Sequence, residues 1–154
     1  MLLSAFLAGL VAGSRALLAP TAASWAASFG FLDLSDGWLA FLGYHWTPWI
    51  LSLACVGELV NDKLPATPSR KVPPQLGTRL VMGTLAGAAF AGDNWHLGAL
   101  LGIVGALVGT FAGAAVRGSM ATAFGKDLPA ALMEDLVAIV LAVMLAATAG
   151  HVIA

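Results

Sequence analysis

Long apolar runs alternate with short polar clusters along this chain, and the apolar runs have the length of membrane helices. A spanning helix needs about 20 mainly apolar residues, and the pattern predicts about five of them. Leu2 to Phe29 forms the first, with Arg15 near its middle and Pro20 soon after, which predicts a kinked first helix. Phe31 to Gly37, carrying Asp33 and Asp36, reads as a turn. Trp38 to Val60 is the second span, with Pro48 marking a helix start after an interfacial stretch. Pro65, Pro68, Pro73 and Pro74 are too many for continuous helix, so Asn61 to Gly77 is read as a loop. Thr78 to Ala91 is a short third span, Gly92 to His96 turns the chain, and Leu97 to Val116 is the fourth. Asp127-Leu128-Pro129 has the composition of a helix start, and the fifth span runs from Ala130 to Ile153.

Composition turns this pattern into a class. With 60% hydrophobic and 10% charged residues in 154 and a mean hydropathy of +0.91, the chain has too little polar surface for a water-soluble domain. The expected fold is therefore all-α, a polytopic transmembrane helical bundle in one integral membrane domain covering 1–154. The first run is not read as a cleaved leader, because no positive charge precedes it, Arg15 interrupts it, and further spans follow. Trp25, Trp38, Tyr44, Trp46 and Trp49 gather as an aromatic belt does at a lipid-water boundary. Lys63, Arg70, Lys71 and Arg79 make the 61–77 region the most basic, which predicts a cytoplasmic Asn61–Gly77 loop, with the amino terminus cytoplasmic and the carboxyl terminus outside. A net charge of -1 excludes a nucleic-acid partner, and the lone Cys55 excludes an internal disulfide.

Two further patterns concern packing. Gly98, Gly102, Gly105, Gly109 and Gly113 recur at spacings of three and four, which puts them on one stripe where backbones can approach closely. This stripe predicts tight packing within or between subunits, and with it a homo-oligomer. Moving the chain by 64 positions lays Gly13-Ser14-Arg15 on Gly77-Thr78-Arg79, and Leu64-Pro65-Ala66 on Leu128-Pro129-Ala130. That register implies a two-span repeat with copies at about 10–66 and 74–130 in the same orientation, followed by the last span, 130–153.

The charged residues carry whatever chemistry there is. A charge in hydrocarbon costs about 2.5–3.5 kcal/mol on insertion scales unless it is paired or wetted, so Arg15 requires a partner. Glu58 and Asp62 share one helix face at the end of the second span, and Arg79 with one of them is the expected bridge. Glu134 and Asp135 are expected in the opening turn of the fifth helix, where the dipole favours acids. Two readings compete for Arg15, Glu58, Asp62, Lys63, Arg70, Arg79, Glu134 and Asp135. Either they form a structural ion-pair network, or they line a wetted cavity that takes an ion or small charged solute.

Transport is the leading expectation. The alternatives are an enzyme acting on a lipid phosphate, with Mg²⁺ held by Glu58, Asp62 and Glu134, or a structural scaffold. His45, His96 and His151 have no ligand at metal spacing, and nucleophile and phosphate-loop motifs are absent. No catalytic residue and no cofactor are therefore predicted.

Gly13-x-Arg15 followed by Pro20, Glu58-x-x-x-Asp62-Lys63-x-Pro65 with Pro68 and Arg70, Arg79-x-x-x-Gly83 and Glu134-Asp135 together resemble a family of small bacterial inner-membrane proteins known as a domain of unknown function. The resemblance covers nearly the whole chain. It implies a bacterial inner-membrane location and a shared charged pattern, and it implies no activity.

Overall fold

The structure, a computed structural model, describes residues 1–35, 37–63 and 72–149. Among them regular structure is helical throughout: α1 (Leu2–Ser14), α2 (Leu18–Ser28), α3 (Thr47–Asn61), α4 (Pro73–Ala91), α5 (Trp95–Phe124) and α6 (Asp127–Ala149), with 3₁₀ turns at Ala40–Gly43 and Gly92–Asn94. Two stretches, Pro73–Phe124 and Asp127–Ala149, are long and apolar enough to cross a membrane. The all-helical bundle and the approximate number of long apolar elements agree with the apolar pattern, while several boundaries shift for identifiable reasons.

The first apolar run is two helices, and the expected kink is a full reversal. Arg15 leaves α1 in an extended conformation, φ -138° and ψ 109°. Leu10 and Ser14 of α1 share a groove with Leu141 and Glu134 of α6, whereas Leu18 and Phe31 share one with Ile139 and Ala146. Thus α1 runs against α6 and α2 runs with it. Met1, Leu32, Gly92 and Ala149 border a single cavity, so both ends of this helical hairpin return to one end of the bundle. Met1 and Ala149 thus lie at one end of the bundle, where the apolar pattern places the first and last spans' outer ends on opposite sides. Pro20 does not cause it, because Pro20 lies in the first turn of α2, where a missing N–H costs nothing.

Downstream, Pro73 and Pro74 open α4 instead of prolonging the loop, since proline is well suited to the first helical turn. Arg79 consequently lies inside α4, not at its start. α5 continues to Phe124 because no breaker intervenes before Gly125, which takes the left-handed conformation at φ 67° that glycine adopts most readily. Arg117 is therefore helical rather than part of a loop. α6 starts at Asp127, so Glu134 and Asp135 lie beyond its first turn, out of reach of the stabilisation that the helix end offers acids.

α5 is the spine. Its glycines let α1 and α4 approach to backbone contact on two sides. A Cβ at Gly98 or Gly102 would strike the carbonyls of Gly87 or Gly83 in α4, and one at Gly105 or Gly109 would strike those of Phe6 or Leu10 in α1. Gly9, Gly13, Gly83 and Gly87 answer them from the opposing helices. The face expected to join a second copy is thus covered at Gly98, Gly102, Gly105 and Gly109 by the chain's own helices. Small residues serve this role because lipid exerts no hydrophobic pressure between helices, leaving van der Waals contact to hold them together.

Gly102→Leu is expected to destabilise the bundle by about 3 kcal/mol or more, through overpacking against backbone that cannot yield. Gly118→Ala, where a Cβ meets nothing within 4 Å, should be neutral or stabilising by up to about 1 kcal/mol. Thermal unfolding of the purified protein in detergent compares the two, and equal melting temperatures would contradict the packing described.

Candidate functional site

The α1–α2 turn plunges Arg15, Ala16 and Leu17 into the bundle, and a hairpin tip exposes two sets of unpaired backbone groups. The last carbonyls of α1 lack donors, and the first amides of α2 lack acceptors. Both sets are met by ionisable side chains from other helices. Glu58 of α3 accepts from Ala16 N at 2.7 Å through Oε1 and from Leu17 N at 2.9 Å through Oε2. Arg79 of α4 donates from Nη1 to the carbonyls of Gly13 at 2.8 Å and Ser14 at 2.6 Å. Thr110 of α5 donates from Oγ1 to Gly13 O at 3.1 Å as well as to Ala106 O in its own helix. The signs agree with the dipoles, since a carboxylate faces the positive start of α2 and a guanidinium the negative end of α1.

Arg15 occupies the centre and is fully buried. Its Nε donates to Asp135 Oδ1 at 2.7 Å, its Nη1 binds Asp62 and also Ser14 O at 3.2 Å, and its Nη2 pairs with Asp135. Glu134 Oε2 stands 3.8 Å from Arg15 Nη2 and 3.7 Å from Arg117 Nη1. Lys63, just past the end of α3, joins its ammonium to Asp135 and to Leu59 O at 2.9 Å. Arg117 spans the remaining gap, with Nη1 3.3 Å from Asp62 while Nε and Nη2 hold Asp127 at 3.0 and 2.6 Å. The network thus ties the hairpin tip to α3, α4, α5 and α6.

Arg79 was expected to bridge to Glu58 or Asp62; instead Arg79 and Glu58 each satisfy backbone at one side of the helix break, and Asp62 meets Arg15 and Arg117. A lone sequence shows carboxylates and arginines but not orphan amides, so pairing charge with charge was the default. Arg15, Glu58, Asp62, Lys63, Arg79, Glu134 and Asp135 come together at this end of the bundle. Arg70 lies outside the described residues, as do Lys71, Pro65, Pro68 and His151. Arg117 is not among the site residues expected from the sequence, although the absence of proline between Trp95 and Gly125 is the available signal that it continues α5 into the site. Arg15 and Arg79, which the 64-position shift superposes, both donate to Ser14 O.

Each carboxylate of the site is already engaged by a guanidinium, an ammonium or an amide. Among the described residues no group of three His, Cys, Asp or Glu is placed to hold a metal ion. His45 and His96 lie in the aromatic belt, His45 edge-on to Trp46 at 5.2 Å and His96 stacked on Trp95 at 3.5 Å. With net pairing nearly complete, the chemistry open to this site is exchange of partners. A mobile anion can compete with a carboxylate for guanidinium or amide, and a cation or proton can compete with an arginine for carboxylate.

Residues 2–153 match a family model described as Domain of unknown function (DUF4126). No curated protein and no solved structure matches the chain.

Removing the cap should loosen the tip before anything else. Glu58→Ala leaves the amides of Ala16 and Leu17 without acceptors, at about 1–3 kcal/mol for each buried group. Hydrogen exchange over residues 14–18 is expected to accelerate at least about tenfold while the α4–α5 core keeps its protection. Unchanged exchange at the tip would show that the carboxylate does not hold it.

Proposed function

The chain belongs to the DUF4126 family, whose description carries no activity, and from the geometry of its own hairpin tip we propose that it is a small multi-pass transporter or channel of the bacterial inner membrane, passing an ion or small charged solute. The observation that carries this reading is the interrupted helix. α1 is about 20 Å long and α2 about 16 Å at 1.5 Å per residue, each too short for a hydrocarbon core of about 30 Å. The hairpin enters and leaves by the same side, and its non-helical tip lies where backbone is tolerated only if protein or water satisfies it. Opposed half-helix ends inside a bundle are how membrane transporters present amides to anions and carbonyls to cations.

A bilayer placement is supported by the outer surface. Leu53 is 76% exposed, Leu3 70%, Ile50 64% and Val143 63%, which is ordinary for a side chain bathed in lipid and costly in water. Lys63, Arg79, Arg117 and Lys126 gather toward the end that holds the charged tip. Positive charge favours the cytoplasmic side, so Asn61–Gly77 faces the cytoplasm and the Met1 end faces outward.

Ion current across proteoliposomes under K⁺, Na⁺, Cl⁻ or acetate gradients tests the assignment. Wild-type protein is expected to pass at least one of these ions, and Glu58→Gln and Arg79→Met, each shown folded by its melting curve, to pass at least tenfold less. Current equal to that of empty vesicles for every gradient, or equal current in wild type and Glu58→Gln, overturns the reading. In a Cys55→Ser background, Lys126→Cys should be labelled only from the cytoplasmic side and Asp93→Cys only from outside, and the reverse pattern would invert the topology.

A further inference from the structure

At the Met1 end of the bundle, away from the charged tip, the segment after α2 and the connection between α4 and α5 border a cavity of about 420 Å³. Asp33 and Asp93 stand in its wall, and no Lys, Arg or His lines it. Both acids also border an adjoining cavity of about 230 Å³. The hydroxyl and amide of Ser35 donate to Asp33 Oδ1 at 2.6 and 3.0 Å, which holds this carboxyl below the usual carboxylate range and keeps it ionised. Asp33 Oδ2 and both oxygens of Asp93 have no hydrogen-bond or ion-pair partner among the described residues. Two indoles complete the wall. Trp38 and Trp95 meet edge to face, with centroids 5.8 Å apart and planes at 64°, and His96 braces Trp95 by stacking on it at 3.5 Å. Leu39, Ala88 and Ala89, all buried, add apolar surface.

We infer that this cavity binds a trimethylammonium group, carried by a free quaternary amine or by a phosphatidylcholine headgroup, with Asp33 and Asp93 supplying the opposite charge and Trp38 and Trp95 the aromatic wall. The mixture of walls sets the class of cation. Carboxylates alone would suit a metal ion, but among the described residues no three His, Cys, Asp or Glu gather to hold one. Indole attracts a cation through its ring quadrupole, most effectively when that cation is weakly hydrated, and quaternary ammonium is the common biological case. Its methyl groups also meet the apolar surface that a hydrated ion would leave unused. The inference uses no residue of the charged tip and does not depend on transport.

Equilibrium dialysis of radiolabelled choline against the full chain in dodecyl maltoside tests it. Saturable binding is expected, with tetramethylammonium competing and the alcohol in which tert-butyl replaces trimethylammonium at least about tenfold weaker. Asp33→Asn, which can still accept from Ser35, Asp93→Asn and Trp38→Leu should each weaken binding about fivefold or more with the melting temperature kept. Trp46→Leu, at an exposed indole outside the cavity, should leave it unchanged. Nanodiscs separate the two sources. Choline binding in phosphatidylglycerol discs that disappears in phosphatidylcholine discs identifies the headgroup as occupant, equal binding in both identifies a free solute, and either result supports the site. No saturable binding in detergent, equal binding of choline and the uncharged alcohol, or full-strength binding in a folded Asp93→Asn or Trp38→Leu overturns the inference. Because this readout requires no ion current, it fails or stands separately from the transport assignment.

Discussion

The buried guanidinium of Arg15 sets the problem that the rest of this bundle answers. Arg15 sits with no exposed surface at the tip of a helical hairpin, and a charge there is tolerable only with partners in near-ideal geometry. Asp62, Asp135 and the Ser14 carbonyl provide them from three different elements. The same turn that buries Arg15 also strips hydrogen bonds from the backbone on either side, and the repair needs a carboxylate on one side and a cation on the other. Glu58 and Arg79 are placed accordingly.

This arrangement explains why the helices meet where they do. α5 lies in backbone contact with α1 and α4 through facing glycines, which fixes the depth at which Thr110 meets Gly13 O. α3 buries little of its own surface, with Pro48 and Cys55 its buried residues, and its attachment near the tip comes through Glu58 and Asp62. Its amino-terminal half is held separately, by Trp49 against Trp25, by Ser52 accepting from Trp25 Nε1 and by Thr47 donating to Phe41 O. The glycine-packed α1–α5–α4 unit is thereby the most closely packed part, and α3 brings its carboxylates to the tip from outside that unit.

The transport proposed above would work by exchange of ion-pair partners. Arg15, Glu58, Asp62, Lys63, Arg117 and Asp135 each have a partner at the tip, so a ligand there enters by replacing one, and the replacement alters what another helix is holding. Displacing Glu58 frees α3 from the amides of Ala16 and Leu17, and displacing Glu134 leaves α6 tied to Arg15 through Asp135 and to Arg117 through Asp127. Binding free energy and movement of a helix are then the same event, which is what a transport cycle or a ligand-gated path requires.

How much of this was legible in the sequence depends on the range of the interaction. Hydrophobic periodicity and composition, which depend on local runs of residues and on the solvent they need, determined by themselves that the chain is an all-helical bundle with apolar outer surfaces. The cost of burying charge was enough to single out Arg15, Glu58, Asp62, Lys63, Arg79, Glu134 and Asp135 as a constellation. The reversal after Ser14, the capping roles of Glu58 and Arg79, the inclusion of Arg117 and the use of the glycine stripe inside one chain were decided only by tertiary structure. Orphan backbone amides and carbonyls do not exist until the turn is made, and which side chain satisfies them depends on residues 40 to 100 positions away being delivered to the same depth. Those pairings are settled by helix packing, which local sequence does not encode.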